Sequence, residues 1–279
     1  GNGADVLVLD GLPIESYIEK GVLEDLSDII TPMVKAGELY PNIAESFTGS
    51  DGSVYQYPVR VTIPIMYGDG TAVSQMAAIG SLRAWQEANP DKALFPKTIY
   101  ENILRQMIYL YYPELAGKDA GQLDTEKVRI LLETAKLAGD ASGSKVVFDE
   151  SEDGGRGRVY NAADTRGFTG LSDYGLLTKN AEISLVELAG MMDVMTPVAI
   201  VDKYGYQMEQ FNDIYYPKGL LGVTSFGKEK ETAREFVAFA LSPKVQNGDL
   251  NDGFTVSKTA SGAWIERTSM VSIGFSFDG

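Results

Sequence analysis

The chain has 279 residues, carries 39 acidic against 24 basic side chains, and contains neither histidine nor cysteine. This composition excludes disulfide scaffolds, thiolate or histidine metal sites, cysteine nucleophiles and the serine–histidine–aspartate triad. A net charge of −15 argues against a nucleic-acid partner, because binding to a phosphate backbone requires a concentrated basic surface.

The first third of the chain predicts short strands and helices in alternation. Apolar residues 6–9 predict a buried strand, and a helix over 14–20 is expected to end at Gly21. The next apolar residues, at helical spacing, predict a helix that Pro32 stops. Residues 49–58 are typical of a hairpin with its turn at Asp51 and Gly52, after which the chain continues extended over 59–66.

The remainder contains three helical patterns, then mixed structure and a last helix. Helices are expected over 81–89 with Ser81 as N-cap, over 98–112, and over 124–138 with Asp124 as N-cap. Later elements are predicted as a long loop at 139–173 around a strand at 145–148, strands at 183–188 and 220–224, and a helix over 228–241. Strands that alternate with helices indicate an α/β protein with a mostly parallel sheet.

The ends of the sequence indicate a piece of a longer protein. The chain begins at Gly1 without the basic and apolar regions of a signal peptide and enters a buried strand almost at once. No apolar run reaches the roughly 20 residues that a membrane-spanning helix needs.

Three segments, taken in order, carry a resemblance to one family. They read ADVLVLD with YIEKGVLEDL at 4–26, DGSVYQYP at 51–58, and GVTS through AREFVAFALSPKVQ at 222–246, followed by GFTVSK. In this order they resemble the extracellular solute-binding proteins of ABC importers. Within these proteins, the resemblance is to the sugar-binding group known as family 1. The family's N-terminal strand and helix and its C-terminal helices have no counterpart here, and Thr255 replaces the family's proline.

The resemblance implies a two-lobe, type 2 periplasmic-binding-protein fold of the α/β class, with crossing hinge strands and a ligand cleft between the lobes. Lobe one would comprise residues 1–61 and 216–257, and lobe two residues 62–215 and 258–279. The hinge would lie near 59–64, 216–220 and 256–258. Hinge closure suits such a cleft, because the ligand contacts both halves only in the closed state.

The resemblance also implies the function. The chain would be the substrate-binding component of an ABC importer, without enzymatic activity, capturing a sugar or oligosaccharide and delivering it to the permease subunits in the membrane. It would be extracellular, either periplasmic or held at the cell surface by a lipid anchor outside residues 1–279. Two alternatives stay open: a carbohydrate-active enzyme with two carboxylates about 5–9.5 Å apart, and a peptide-binding receptor on the same fold.

Three polar residues are candidates for binding sugar hydroxyls. Asp10 follows the first strand, where ligands of α/β sheets bind, although a turn or helix-cap role is equally consistent with its position. Arg60 lies in an apolar strand and needs either a ligand or a carboxylate as partner. Thr62 shares a strand face with Arg60.

Four aromatic residues are candidates for stacking on a sugar ring. Tyr57 precedes the first expected crossing, and Tyr206 and Phe211 belong to the tyrosine-rich stretch before the return crossing. Trp264 lies near the third crossing. Core or interlobe packing is the alternative for each of them.

We expect neither a metal nor a cofactor. Residues 149–154 resemble the start of an EF-hand loop, but the twelfth position is Tyr160 instead of a bidentate glutamate, which favours a solvated acidic loop. The glycines at 154–157 lack the lysine and hydroxyl residue of a phosphate-binding loop.

Overall fold

The structure is a computed structural model and describes residues 3–96, 100–117, 122–143, 174–211, 214–248 and 252–260. The chain divides into two compact units. The first comprises Gly1–Thr62, Ala189–Met191 and Tyr215–Gly279, and the second comprises Ile63–Leu188 and Met192–Ile214. The chain therefore passes from one unit to the other four times.

The sheet of the first unit, as far as the structure describes the chain, has four strands in the order β1, β5, β2, β6. These are Val6–Val8 (β1), Tyr216–Val223 (β5), the first half of Tyr57–Gly68 (β2) and Phe254–Thr255 (β6). Every ladder is antiparallel, with Val6 opposite Val223, Tyr57 opposite Leu221 and Arg60 opposite Thr255. The mostly parallel sheet expected from the alternation of elements is therefore wrong for the described strands. β1 and β2 do run in the same direction, but β5 returns from the second unit and lies between them.

Among the residues that the structure describes, five helices belong to the first unit. They are Ile14–Glu19 (α1), Ser27–Lys35 (α2), Pro41–Phe47 (α3), Lys230–Leu241 (α10) and Pro243–Gln246 (α11). α10 buries Ala233, Val237 and Ala240, whose spacing of three and four residues places them on one helix face. Together with apolar side chains of α2 and β2 they form the core of the unit.

Two local expectations fail in the first unit. Pro32 lies inside α2 and does not end it. The turn at Gly52 is present, with φ +86° and a 2.9 Å hydrogen bond from its amide to the carbonyl of Gly49, but the strand begins only at Tyr57, so the paired strands of a hairpin are not formed.

In the second unit, β2 lies between two antiparallel partner strands. The second half of β2 pairs with Ile183–Leu188 (β3) on one side and with Gln207–Gln210 (β4) on the other. The described part of this unit also contains six helices: Gly70–Gln75 (α4), Ile79–Ala88 (α5), Tyr100–Leu115 (α6), Thr125–Ala141 (α7), Tyr174–Leu177 (α8) and Met191–Tyr204 (α9).

Helix caps in this unit confirm one prediction and correct another. The Asp124 carboxylate accepts hydrogen bonds from the amides of Glu126 and Lys127, at 3.0 and 3.1 Å, and caps α7 as expected. Ser81 is not an N-cap, because α5 begins two residues earlier at Ile79 and the Ser81 hydroxyl bonds the carbonyls of Gln75 and Ala78. The expected strand at 145–148 and the acidic loop at 149–160 lie outside the described residues.

Residues 258–260 belong to the first unit, whereas the sequence-based division assigned them to lobe two. The amide of Lys258 donates to the carbonyl of Glu38 at 2.8 Å, and Leu39 bridges to Ser257, so this segment is fixed to the loop after α2.

Candidate functional site

Asp10 lies in the loop after β1 and is held by two consecutive backbone amides of β5. Its Oδ1 accepts from Gly219 N at 2.9 Å and its Oδ2 from Leu220 N at 2.8 Å. Gly219 has φ +62°, a conformation that glycine adopts without strain. Because an ionised carboxylate has about four acceptor positions, Asp10 keeps capacity for further donors. The side chain is exposed and oriented, which suits a hydroxyl-binding group.

Arg60 is a buried cation in β2, with only 3% of its surface exposed. Its Nη1 donates to the carbonyl of Val59 at 2.7 Å, and its Nη2 lies 3.5 Å from the carbonyl of Val245. Desolvation lowers the pKa of Arg60, and the charge of Asp252 partly offsets that effect. The partners expected from the sequence were a ligand or a carboxylate; within the described residues, backbone carbonyls hold the guanidinium and Asp252 supplies the opposite charge.

Gln246 fixes the backbone around Arg60. Its Nε2 donates to the carbonyls of Val59 and Ala240, at 3.2 and 2.8 Å, and its Oε1 accepts from Thr255 Oγ1 and Val256 N, at 2.7 and 3.1 Å. It thereby joins β2, α10 and β6. We did not select Gln246 from the sequence, although it closes the recognised SPKVQ segment.

Alternation along β2 divides the first-unit candidates between two sheet faces. Tyr57 lies on the core face with Val59 and Val61, whereas Arg60 and Thr62 lie on the opposite face. Lys218 and Tyr216 stand directly opposite Arg60 and Thr62 on β5. Arg60 and Thr62 therefore share a polar sheet face, and Lys218 precedes the two β5 residues that bind Asp10.

Tyr57 is a core residue. Only 1% of its surface is exposed, and its ring packs against Phe47 with centroids 6.0 Å apart. Burial raises the pKa of its hydroxyl, which has no hydrogen-bond partner among the described residues. Of the two alternatives that the sequence left open, this geometry favours core packing.

The second unit contains Tyr206 and Phe211, which differ in environment. Phe211 is fully buried and meets Tyr111 edge-on, with centroids 5.4 Å apart and planes at 84°, so its ring is part of the core. The Tyr206 ring stacks on that of Tyr204 with centroids 5.6 Å apart. Tyr206 also borders a small polar opening, the Tyr206 pocket, lined by Asp69, Lys179, Ala181, Glu182 and Tyr206. Trp264 lies outside the described residues.

The described residues contain no cluster of three or more acidic side chains that could hold a metal ion. Within the same residues, no helix combines the length and apolar character needed to cross a membrane.

No family model and no curated protein sequence matches this chain. Its structure is similar to solved structures at low sequence identity. UgpB from Mycobacterium tuberculosis in complex with glycerophosphocholine has a TM-score of 0.53 at 14% identity, over 96% of this chain and 72% of that one. An ABC transporter solute-binding protein from Thermotoga lettingae TMO, bound with α-D-tagatose, has a TM-score of 0.52 at 15% identity, over 92% and 68%.

The protein CpMnBP1 with mannotriose bound has a TM-score of 0.52 at 11% identity, over 99% of this chain and 75% of that one. The similarity extends over nearly the whole sequence, and this chain shares the fold of these three proteins. The α/β fold of periplasmic-binding-protein type expected from the three sequence segments is thereby confirmed.

Proposed function

We propose that this chain is the substrate-binding component of an ABC importer and that its ligand is a sugar or oligosaccharide. The observation that carries the proposal is the shared fold with ligand-bound solute-binding proteins, two of which hold saccharides. A fold hosts several ligand classes, so the ligand is argued from the side chains.

The first-unit side chains supply the chemistry that hydroxyl recognition needs. Asp10 offers an exposed, oriented acceptor. Arg60 and Thr62 share one sheet face, but only 3% and 1% of their surfaces are exposed, so we assign them to holding the strand in place rather than to direct contact with the ligand. Polar groups fixed before binding need little reordering when the ligand arrives, which favours affinity. We assign Tyr57 and Phe211 to core packing rather than to ring stacking, because neither ring is exposed. Tyr206 stays a candidate platform of the second unit.

Capture would follow from movement at the segments where the chain passes between its two units. β2 is the first of these segments, because its residues 57–62 belong to the first unit and 63–68 to the second. A ligand that binds one conformation better shifts the population toward it. Delivery to permease subunits, an extracellular or periplasmic location and a lipid anchor outside residues 1–279 complete the proposal.

A thermal-shift panel tests this function. It contains mono-, di- and oligosaccharides, including tagatose and mannotriose, with glycerophosphocholine, amino acids and a short peptide library for comparison. A saccharide that raises the melting temperature and is recovered intact by chromatography is the expected result. Cleavage of the saccharide would establish a carbohydrate-active enzyme instead, and stabilisation by peptides alone would establish a peptide receptor.

A further inference from the structure

The Tyr206 pocket lies where three strands of the second unit begin or end. Asp69 follows the last residue of β2, Glu182 precedes β3, and Tyr206 precedes β4. In the β2–β3 ladder Gly68 stands opposite Ile183, and in the β2–β4 ladder it stands opposite Gln207. Antiparallel pairing thus gathers three residues that are far apart in sequence.

Backbone contacts fix this arrangement closely. The amide of Asp69 donates to the carbonyl of Glu182 at 2.8 Å. The amide of Glu182 in turn donates to the carbonyl of Ala93 at 2.9 Å. At Gly68, with φ +152°, a Cβ would stand only 2.1 Å from the Glu182 carbonyl oxygen. The close approach of the two strands therefore requires glycine here.

The pocket is separate from the residues at the chain crossings. Within the second unit the crossing end of the sheet is marked by Ile63 opposite Leu188, and the pocket end by Gly68 opposite Ile183. Ile63 and Gly68 are five positions apart along β2, and five residues of extended strand span about 17 Å, so the two ends are separated by about that distance. The Tyr206 pocket is thus a different location from the strand segment that carries Arg60 and Thr62.

Strain at the pocket edge is a second observation. Lys179 has φ +56° and is the sole non-glycine residue with positive φ among those that the structure describes. Such a conformation costs a bulky side chain free energy and persists where its surroundings enforce it. Here it occurs at a lysine that lines the pocket together with two carboxylates.

The lining combines hydrogen-bond donors with acceptors and is close to neutral overall. Glu182 supplies acceptor oxygens, while Lys179 and Tyr206 supply donors. Asp69 Oδ1 caps α4 by accepting from the amides of Thr71 and Ala72, at 3.0 and 3.2 Å, so its Oδ2 is the acceptor left for a ligand. Lys92 lies 3.9 Å from Glu182 and offsets its charge further. Burial raises the pKa of Tyr206, and the charges of Glu182 and Asp69 act in the same direction, so its hydroxyl stays protonated at neutral pH.

The size of the pocket limits what it can hold. Its volume is about 150 Å³, below the roughly 300–1,000 Å³ of pockets for drug-sized ligands, so it suits only a small molecule. A cation would meet the ammonium of Lys179, and an anion would meet two carboxylates. A neutral hydroxylated molecule can both donate to the carboxylates and accept from Lys179 and Tyr206.

We propose that the Tyr206 pocket is a binding site for a small neutral polyol or a single sugar ring, separate from the Asp10 and Arg60 region. The proposal does not depend on the proposed transport function. Asp69 and Glu182 accept the hydroxyl hydrogens of the ligand, and Lys179 and Tyr206 donate to its oxygens.

The test follows the NMR signals of the tyrosine rings in the intact chain, which carries isotopically labelled tyrosine. Comparison with a Tyr206→Phe variant assigns the Tyr206 signal. D-Glucose and glycerol are titrated as neutral probes, with choline and inorganic phosphate as cationic and anionic probes. We expect the neutral probes to shift the Tyr206 signal saturably. No response to any probe, or a response to choline or phosphate alone, would overturn the proposal.

Two variants separate a binding role from a structural one. Glu182→Ala removes an acceptor while keeping the backbone contacts, and Lys179→Gly removes the ammonium while relieving the positive φ. Each should weaken the neutral-probe response at least tenfold, and Lys179→Gly should do so without lowering thermal stability. Glu209→Ala, an exposed change on β4, is the matched control and should respond like wild type.

The same titration in an Asp10→Ala background distinguishes this site from the proposed transport site. The Tyr206 response should persist there, whatever happens to the binding of larger saccharides. Loss of the response in that background, or its retention in both Glu182→Ala and Lys179→Gly, would contradict a separate polyol site.

Discussion

The Asp10 carboxylate and the Gly219 amide, 209 positions apart in sequence, meet at 2.9 Å. The neighbouring Leu220 amide binds the second carboxylate oxygen at 2.8 Å. The loop after β1 is thereby tied to the return strand β5, at the point where Gly219 takes a positive φ. One side chain thus contributes both to the structure of the first unit and, in our proposal, to ligand binding.

Replacement of Asp10 by alanine should lower the stability of the first unit by about 1–2 kcal/mol, because two charge-assisted hydrogen bonds are lost at an exposed site. Hydrogen–deuterium exchange of the β1 and β5 amides measures the change. Glu15→Ala, an exposed change in α1, is the control. Unchanged exchange in Asp10→Ala would show that the carboxylate does not hold β5.

Substitution of Gly253 by alanine should destabilise the first unit by more than about 2 kcal/mol. Its φ is +144°, and an added Cβ would stand 2.8 Å from Arg60 Cβ and 3.0 Å from the Val61 carbonyl oxygen. Gly21→Ala is the matched control, since φ is +62° there but the space is open, and it should cost only about 1 kcal/mol. Chemical denaturation compares them, and equal costs would refute the steric argument.

Local signals explain why much of the fold could be predicted. Asp124 caps α7 by binding the amides of residues two and three positions later, so the cap is visible in the local sequence. The apolar spacing of α10 likewise predicts a helix without reference to the elements that pack against it. The direction of strand pairing could not be predicted from local signals, because the strand between β1 and β2 is β5, which is distant from both in sequence. Pro32 likewise fails to stop α2, since tertiary packing overrides local propensity.

The candidate sites show the same division. Asp10 is predicted from its position after the first strand, where ligands of α/β sheets bind, and Arg60 because a cation in an apolar strand needs a partner. The environment of Tyr57, by contrast, depends on which strand face is covered, and alternation alone does not decide that. The sequence did not point to Asp69, Lys179 and Glu182. They come together through the register of β2 with β3 and β4, and no single segment of the sequence reveals that register.

A Gln246→Leu variant should destabilise the first unit by about 2–4 kcal/mol, because this buried side chain loses four hydrogen bonds, three of them buried and one partly buried. Exchange of the α10 and β6 amides should increase most. Gln75→Leu lies at the end of α4, where the side chain donates to Ser74 Oγ at 3.3 Å, and should change stability by no more than about 0.5 kcal/mol. Equal behaviour of the two variants would argue against the role assigned to Gln246.

Asp25 should make folding stability fall in acid. Partial burial raises its pKa, but hydrogen bonds from Val54 N, Ser27 N and Ser27 Oγ outweigh this, and the net pKa lies below the ordinary 3.8. A lowered pKa in the folded state gives stability that is present above pH 3.8 and is lost as the pH falls through the folded-state pKa.

The Asp25→Asn variant should therefore be less stable than wild type at neutral pH and nearly equal to it in strong acid. Urea denaturation across this range measures the difference, with Asp91→Asn, an exposed change in a turn, as the control. A difference between Asp25→Asn and wild type that stays constant with pH would show that ionisation of this carboxylate does not contribute.

The most direct test of carbohydrate binding is isothermal titration calorimetry with the saccharide that most stabilises the chain, on wild type and Asp10→Ala. Our account predicts saturable binding to wild type, recovery of the saccharide intact, and at least tenfold weaker binding to Asp10→Ala. Absence of binding by every saccharide, or cleavage of the one that binds, would contradict the transport-receptor function. Equal affinity in the two proteins would contradict the site.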